Sequence, residues 1–496
     1  MRRLLACSSL ALVAACGTTV PLQSNLAGSS GNGLGPSVAA PTSAATTGGT
    51  TGLAAPGTAT SGVTQSGTGS TVTGTSGTTA ATAPAASLPA LPAGAAKVTS
   101  PIQIGLLTAG DLGAANSAIG RNAAPYKSAD ALKAMIDALN AQGGLAGRKI
   151  TYVMSVIDPT SSNYDTQATA ACANMTQDHH VAVAMSFEGS FFSEPFSACL
   201  AKAHVPEIAA LDGGAAAATL AKYPLLYSPA APTTERRFRA LVQGLTANGY
   251  LTSKNHVGIV VEDCAANEAA ANNVLEPMLK QRGITVTRQD ISCAHGFGDA
   301  AALIGAFQAA VLPMRSAGAD RMVFVTGFEQ VGVQFFEKQA ASQGWKPHYA
   351  VTSPAGTGYN DMQLDDEALS RIQGVGWRPA KDVTQLPATP AATRCKGLFK
   401  AYGGALDRAN VSGAFSLCEA FFFLEAGLQR GSGRSDPATL TAAWNGLGTS
   451  FASPLELAGA TSFSPGHKDG PRLFSTYAFV AACSCFRYSG GPRALA

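Results

Sequence analysis

Charge is scarce in this chain: 31 acidic and 34 basic residues make up 13% of its 496 positions, about half the share usual in a soluble domain. The formal net charge is +3, and no cluster of lysine or arginine is long enough to follow a phosphate backbone, which excludes nucleic acid as a partner. Catalytic signatures are missing as well. The sequence has no Gly-x-Ser-x-Gly elbow, no Walker loop, no His-Glu-x-x-His and no Gly-x-Gly-x-x-Gly after a strand, so nothing points to an enzyme or to a cofactor. The triplet Asp178-His179-His180 invites a metal reading, but it falls between a helix end and a strand start; a solvated turn accounts for it, and no metal is expected. After the N-terminus no apolar stretch reads as a membrane span; the run 421–424 lies between Glu419 and Glu425 and reads as a buried helix.

What is present begins with an export signal. Two arginines, an apolar run over 4–15 and the small residues Val13-Ala14-Ala15 before Cys16 match a lipoprotein signal, with cleavage before Cys16 and acylation of its thiol. An ordinary signal peptide with a chance cysteine is the alternative. Residues 17–98 are mostly Gly, Thr, Ser, Ala and Pro with almost no charge, which cannot bury enough surface to offset ordering entropy. This segment reads as a tether of roughly 50 Å root-mean-square span, and its Ser/Thr/Pro content suits O-glycosylation.

The remaining stretch of about four hundred residues exceeds one ordinary core and implies two domains. Its most informative segment is residues 140–150. Leu132, Met135, Ile136 and Leu139 fall at i, i+3, i+4 and i+7, a single apolar helix stripe; Gly143 and Gly144 end that helix, and 149–157 is rich in branched and aromatic strand formers. With a strand at 102–107 this makes a strand-helix-strand unit, the building block of parallel sheets. The alternation continues with helices at 164–177 and 194–203, strands at 181–187 and 206–211, and a short extended run at 225–229. It restarts after a helix at 233–248: strands at 256–262, 284–291, 321–326 and 348–353 alternate with helices at 265–282, 299–317 and 330–343. A strand at 374–378, helices at 389–403, 414–429 and 437–446, and strands at 473–480 and 483–488 read as return crossings. The expected fold is α/β: two doubly wound parallel-sheet lobes joined by a multi-strand hinge, with 99–232 and some of 354–450 in the first lobe and 233–353 and some of 451–496 in the second.

Cys7 leaves with the signal and Cys16 goes to lipid, so eight cysteines remain in an oxidising compartment. Sequential pairs bracket neighbouring elements: Cys172 with Cys199, Cys264 with Cys293, Cys395 with Cys418, and by remainder Cys483 with Cys485. Zinc held by the last two with His467 is the alternative, but a fourth ligand is missing.

The Ile-x-Ile-Gly-Leu-Leu strand at 102–107, the Asn-x-x-Gly-Gly-x-x-Gly-Arg-Lys-Ile turn at 140–150 and the acidic Asp158 after the second strand resemble the start of the type I periplasmic binding proteins, nearest the leucine/isoleucine/valine branch. The resemblance implies a hinged clamshell that closes on a small solute. It places a carboxylate-binding serine at Ser190 and backbone contacts at Leu211 and Gly213, with Thr108 at another strand end. Ser190 reads equally as a helix N-cap. The second lobe departs from the pattern, with Ala266 and Asn267 where an aromatic and a glycine stand in the family; Phe328 and Glu329 occupy the loop of its acidic ligand contact. Glu188, Asp212 and Glu329 are candidate carboxylates for a cationic group, and Trp377 is a candidate cleft wall, with surface and core roles as the respective alternatives. The implied protein is a monomeric solute receptor of an ABC importer for an amino acid or similar small polar metabolite, held at the extracytoplasmic bilayer face beside its permease. A sensor or envelope interaction module on the same fold is the alternative.

Overall fold

The computed structural model describes residues 97–110, 113, 117, 128–187, 192–210, 214–353, 363–378, 389–400 and 411–496. Five parallel strands form the first sheet: β1 (Ile102–Ala109), β2 (Ile150–Ile157), β3 (Val183–Phe187), β4 (Glu207–Ala209) and β5 (Leu226–Tyr227), in the order β2-β1-β3-β4-β5. The second sheet contains β6 (His256–Glu262), β7 (Thr285–Ile291), β8 (Arg321–Val325), β9 (His348–Ser353), β10 (Ile372–Gly376), β11 (Leu473–Val480) and β12 (Cys485–Ala494), ordered β12-β11-β10-β9-β8-β6-β7. Its first five strands in sequence pair in parallel, and β11 and β12 add an antiparallel edge.

The turn at 140–150 shows why these residues are needed together. Gly144 adopts φ +82°, and a Cβ there would lie 1.9 Å from the Arg148 carbonyl, so only glycine closes the helix Ser128–Ala141 this tightly. Asn140 then stands in for a strand: its amide donates to the Ile150 carbonyl at 2.9 Å and its Oδ1 accepts from the Ile150 N–H at 2.8 Å. Arg148 is buried, donating to the carbonyls of Ser100, Pro101 and Gly433, and so fixes the start of β1 against a loop far along the chain.

The cores explain where the late elements go. The helices Pro390–Lys400, Val411–Arg430 and Pro437–Asn445 pack with Ser128–Ala141 on the first sheet through Leu398, Phe421, Phe423 and Trp444. β10, by contrast, lies between β9 and β11 in the second sheet. The helix Thr234–Ala247 covers one face of that sheet through Phe238, Leu241 and Leu245. The helical run Phe297–Ser316 reaches the length and apolarity of a membrane span, contrary to the expectation from sequence; Leu303, Phe307, Val311 and Met314 bury one stripe of it in the core of the second sheet.

Chain crossings between the sheets are stapled to one another. Arg378 donates to the Ala230 carbonyl at 2.7 Å, and Ser228 N–H donates to the Lys468 carbonyl at 2.9 Å. Asp469 accepts from Thr233 N–H at 2.7 Å and pairs with Arg236 at 2.7 Å. Gly470, at φ +40°, comes so close to the first crossing that a Cβ would sit 2.2 Å from the Pro229 carbonyl.

Four disulfides join Cys172 to Cys199, Cys264 to Cys293, Cys395 to Cys418 and Cys483 to Cys485. The zinc alternative for the last pair is thereby displaced, since both thiols are consumed and His467 faces Asp469 at 3.2 Å. Cys16 and the tether lie outside the described residues.

Candidate functional site

The carboxyl ends of β6 and β8 open onto a cavity of about 930 Å³ whose far wall comes from the elements that follow β3 and β4 of the first sheet. This is where ligands bind on open α/β sheets, because strand ends leave loops and helix starts free to carry side chains. The first-sheet wall includes Phe192, Glu194, Pro195 and Lys222; the second-sheet wall includes Glu262, Asp263, Asn267 and Phe328. Thr234 and Arg237 at the start of the crossing helix line it as well.

Glu262 ends β6 with only 2% of its surface exposed. Its Oε2 accepts from the Gly327 N–H at 3.2 Å and from the Asn267 amide at 3.3 Å, while no donor among the described residues meets Oε1 in hydrogen-bond geometry. Burial pushes its carboxyl up to about 7, against the pull of the Thr326 hydroxyl and of the Gly327 and Ala294 N–H groups. Asp263 accepts from Cys293 N–H at 2.6 Å, and the Cys264–Cys293 disulfide ties the loop after β6 to the one after β7 along the cavity wall. Opposite, Glu194 pairs with Lys222 at 2.6 Å and accepts from Tyr223 Oη at 3.0 Å; the Lys222 ammonium holds the Glu194 carboxyl below its usual range.

The loop after β2 meets the loop after β7 at one flank of the cavity. Phe297 N–H donates to the Pro159 carbonyl at 2.9 Å, and the Phe297 ring stands edge-on to Phe328 at 5.6 Å. A smaller hollow of about 300 Å³ lies beside this contact, between residues 161–166 and 295–299.

Among the residues singled out from the sequence, Phe328 lines the cavity. Glu329, its neighbour, does not: it is the first residue of the helix Glu329–Ser342, which Phe328 precedes in a non-helical conformation, and its carboxylate turns inward to accept from Thr352 N–H and Oγ1, each at 2.6 Å. Thr108 is buried and donates to Ser128 Oγ, which donates to the Ala109 carbonyl, so it fastens the end of β1 to the next helix. Trp377 is fully buried in the core beneath the crossing helix and is not among the residues that line this cavity. Glu188, Ser190, Leu211, Asp212 and Gly213 lie outside the described residues. His179 and His180 are exposed beyond the amino end of β3, away from the cavity. Sequence reasoning passed over Glu262, Asp263 and Arg237; the signal available was an acidic pair following directly on the apolar run of β6.

The profile of the family described as periplasmic binding protein matches residues 101–479. No curated protein matches the sequence. Among solved structures, a solute-binding protein of an ABC transporter from Rhodopseudomonas palustris BisB5, in complex with 3,4-dihydroxybenzoic acid, superposes with TM-score 0.57 at 15% identity over 80% of this chain and 98% of that one. A leucine-binding protein from Thermotoga maritima gives TM-score 0.57 at 13% identity over 78% and 98%. An ABC transporter substrate-binding protein from Desulfitobacterium hafniense, in complex with Leu, gives 0.55 at 16% over 78% and 100%. At these identities the similarity establishes the fold.

Proposed function

This chain belongs to the periplasmic binding protein family, and on that premise we propose that it is the solute receptor of an ABC importer, binding an amino acid or similar small polar metabolite without covalent change. The observation that carries the reading is the 930 Å³ cavity framed by strand ends of the second sheet and by elements following strands of the first. Buried polar groups and aromatic rings share its walls, the mixture expected of a small-molecule site. The two lobes are the two sheets with their covering helices, the crossings between them acting as the hinge. Acylated Cys16 and the tether then hold the receptor at the extracytoplasmic bilayer face, within reach of a permease, as a monomer.

A thermal-shift screen of the full chain against amino acids, amides, short peptides, amines and aromatic acids tests this. A specific solute at a hundredfold excess over its Kd adds about 2.7 kcal/mol to stability. If no compound in any class stabilises the protein, the receptor reading fails.

A further inference from the structure

Glu262 holds a position in the cavity wall that is costly without a guest. A desolvated carboxylate oxygen with no donor loses the hydrogen bonds it had in water, and among the described residues no donor meets Oε1 in hydrogen-bond geometry, although the Thr326 hydroxyl and the Ala294 N–H beside the carboxyl favour its charged form. The two donors on Oε2, Gly327 N–H and the Asn267 amide, are both neutral. Among the described residues no lysine or arginine pairs with the group; the charge that acts on it is Asp263, a second carboxylate on the same wall. Among the described lining residues, Asp165, Glu194, Glu262 and Asp263 stand against two permanent cations, Lys222 and Arg237. Lys222 is held by Glu194, and Arg237 is buried with its guanidinium 5.0 Å from the Phe238 ring centre. The cavity thus offers unneutralised negative charge and apolar surface at Phe192, Pro195 and Phe328.

From this juxtaposition we propose that the solute is an organic amine bearing no carboxylate, its ammonium donating to Glu262 Oε1 beside Asp263 and its apolar body lying between Phe192 and Phe328. This deepens the receptor reading above and rests on it. An ammonium supplies both what Oε1 lacks, a donor, and what the wall lacks, a positive charge. A carboxylate on the same solute would face Glu262 and Asp263 with no described cation on that wall to receive it.

Two matched sets separate the possibilities by calorimetry on the full chain: tyramine, tyrosine and 4-hydroxyphenylacetate; isoamylamine, leucine and 4-methylpentanoate. Within at least one set the amine binds tenfold or more tightly than its zwitterionic and anionic counterparts, and Glu262→Gln, which keeps the side chain's shape, weakens the amine tenfold or more. Asn267→Ala is the second variant: it removes a donor from Oε2 but leaves the charge, and the preference for the amine persists. Binding of the zwitterions or acids at equal or higher affinity, or an amine affinity within twofold in Glu262→Gln, overturns the assignment while leaving the receptor reading in place. Binding by none of the six overturns the assignment, and the broader solute screen then decides the receptor reading separately.

Discussion

Glu207 shows how a single buried carboxyl makes stability depend on pH. It ends in the first core with hydroxyls of Ser186 and Ser197 donating to it at 3.0 and 2.6 Å, and burial pushes its carboxyl up to about 7 from 4.5. A raised carboxyl means the folded chain holds a proton that the unfolded chain has released. Its stabilising contribution is therefore complete below about pH 4.5 and disappears as pH rises through 7, a change on the order of 3 kcal/mol. Glu207→Gln removes that slope: urea unfolding at pH 5, 6, 7 and 8 should show a smaller loss of stability with rising pH than in the parent. Glu262 and Glu419, raised to about 7 and 8, act in the same direction and leave a residual slope. At this scale the sequence was only partly legible. It located the loop of Phe328, but not the inward turn of the Glu329 carboxylate, because that direction is set by Thr352 on a neighbouring strand. Glu262 was hidden for a related reason, since it becomes a site residue through the Gly327 loop arriving from β8.

Among elements, the loops after β6 and β7 are joined by Cys264–Cys293, whose residues are 29 apart in sequence and both line the cavity. Closing a loop of that length contributes about 3–4 kcal/mol through the entropy of the unfolded chain. The double variant Cys264→Ser, Cys293→Ser should lose about that much in urea unfolding and bind its solute more weakly; unchanged stability would mean that packing alone holds the two loops. Periodic elements could be read from the chain because their apolar stripes repeat, as in Ser128–Ala141. The helix Ala217–Lys222 could not, being short and opened by a run of alanines with no stripe. Nor could the breaks inside longer helices. The helical stretch expected at 265–282 widens to a π turn at Ala271–Leu275, just ahead of Pro277, whose ring nitrogen cannot donate to the preceding turn.

For the whole molecule, the alternation of strands and helices announced two parallel sheets, whereas the stapling of the crossings depends on residues hundreds of positions apart and left no local mark. Gly470 against Pro229 is the tightest of these contacts. Gly470→Ala combines a left-handed backbone with a steric clash and should destabilise the chain by about 2 kcal/mol in urea unfolding. A neutral result would show that the crossings slide freely over one another. At the opposite flank, the rims already touch through Phe297 and Pro159, backed by the ring of Phe328 that faces the cavity. Widening on that side must first break a main-chain hydrogen bond and separate the aromatic edge behind it. How long a captured solute stays is thereby tied to the lifetime of that small clasp, so affinity differences between solutes that press on Phe328 would surface in their dissociation rates.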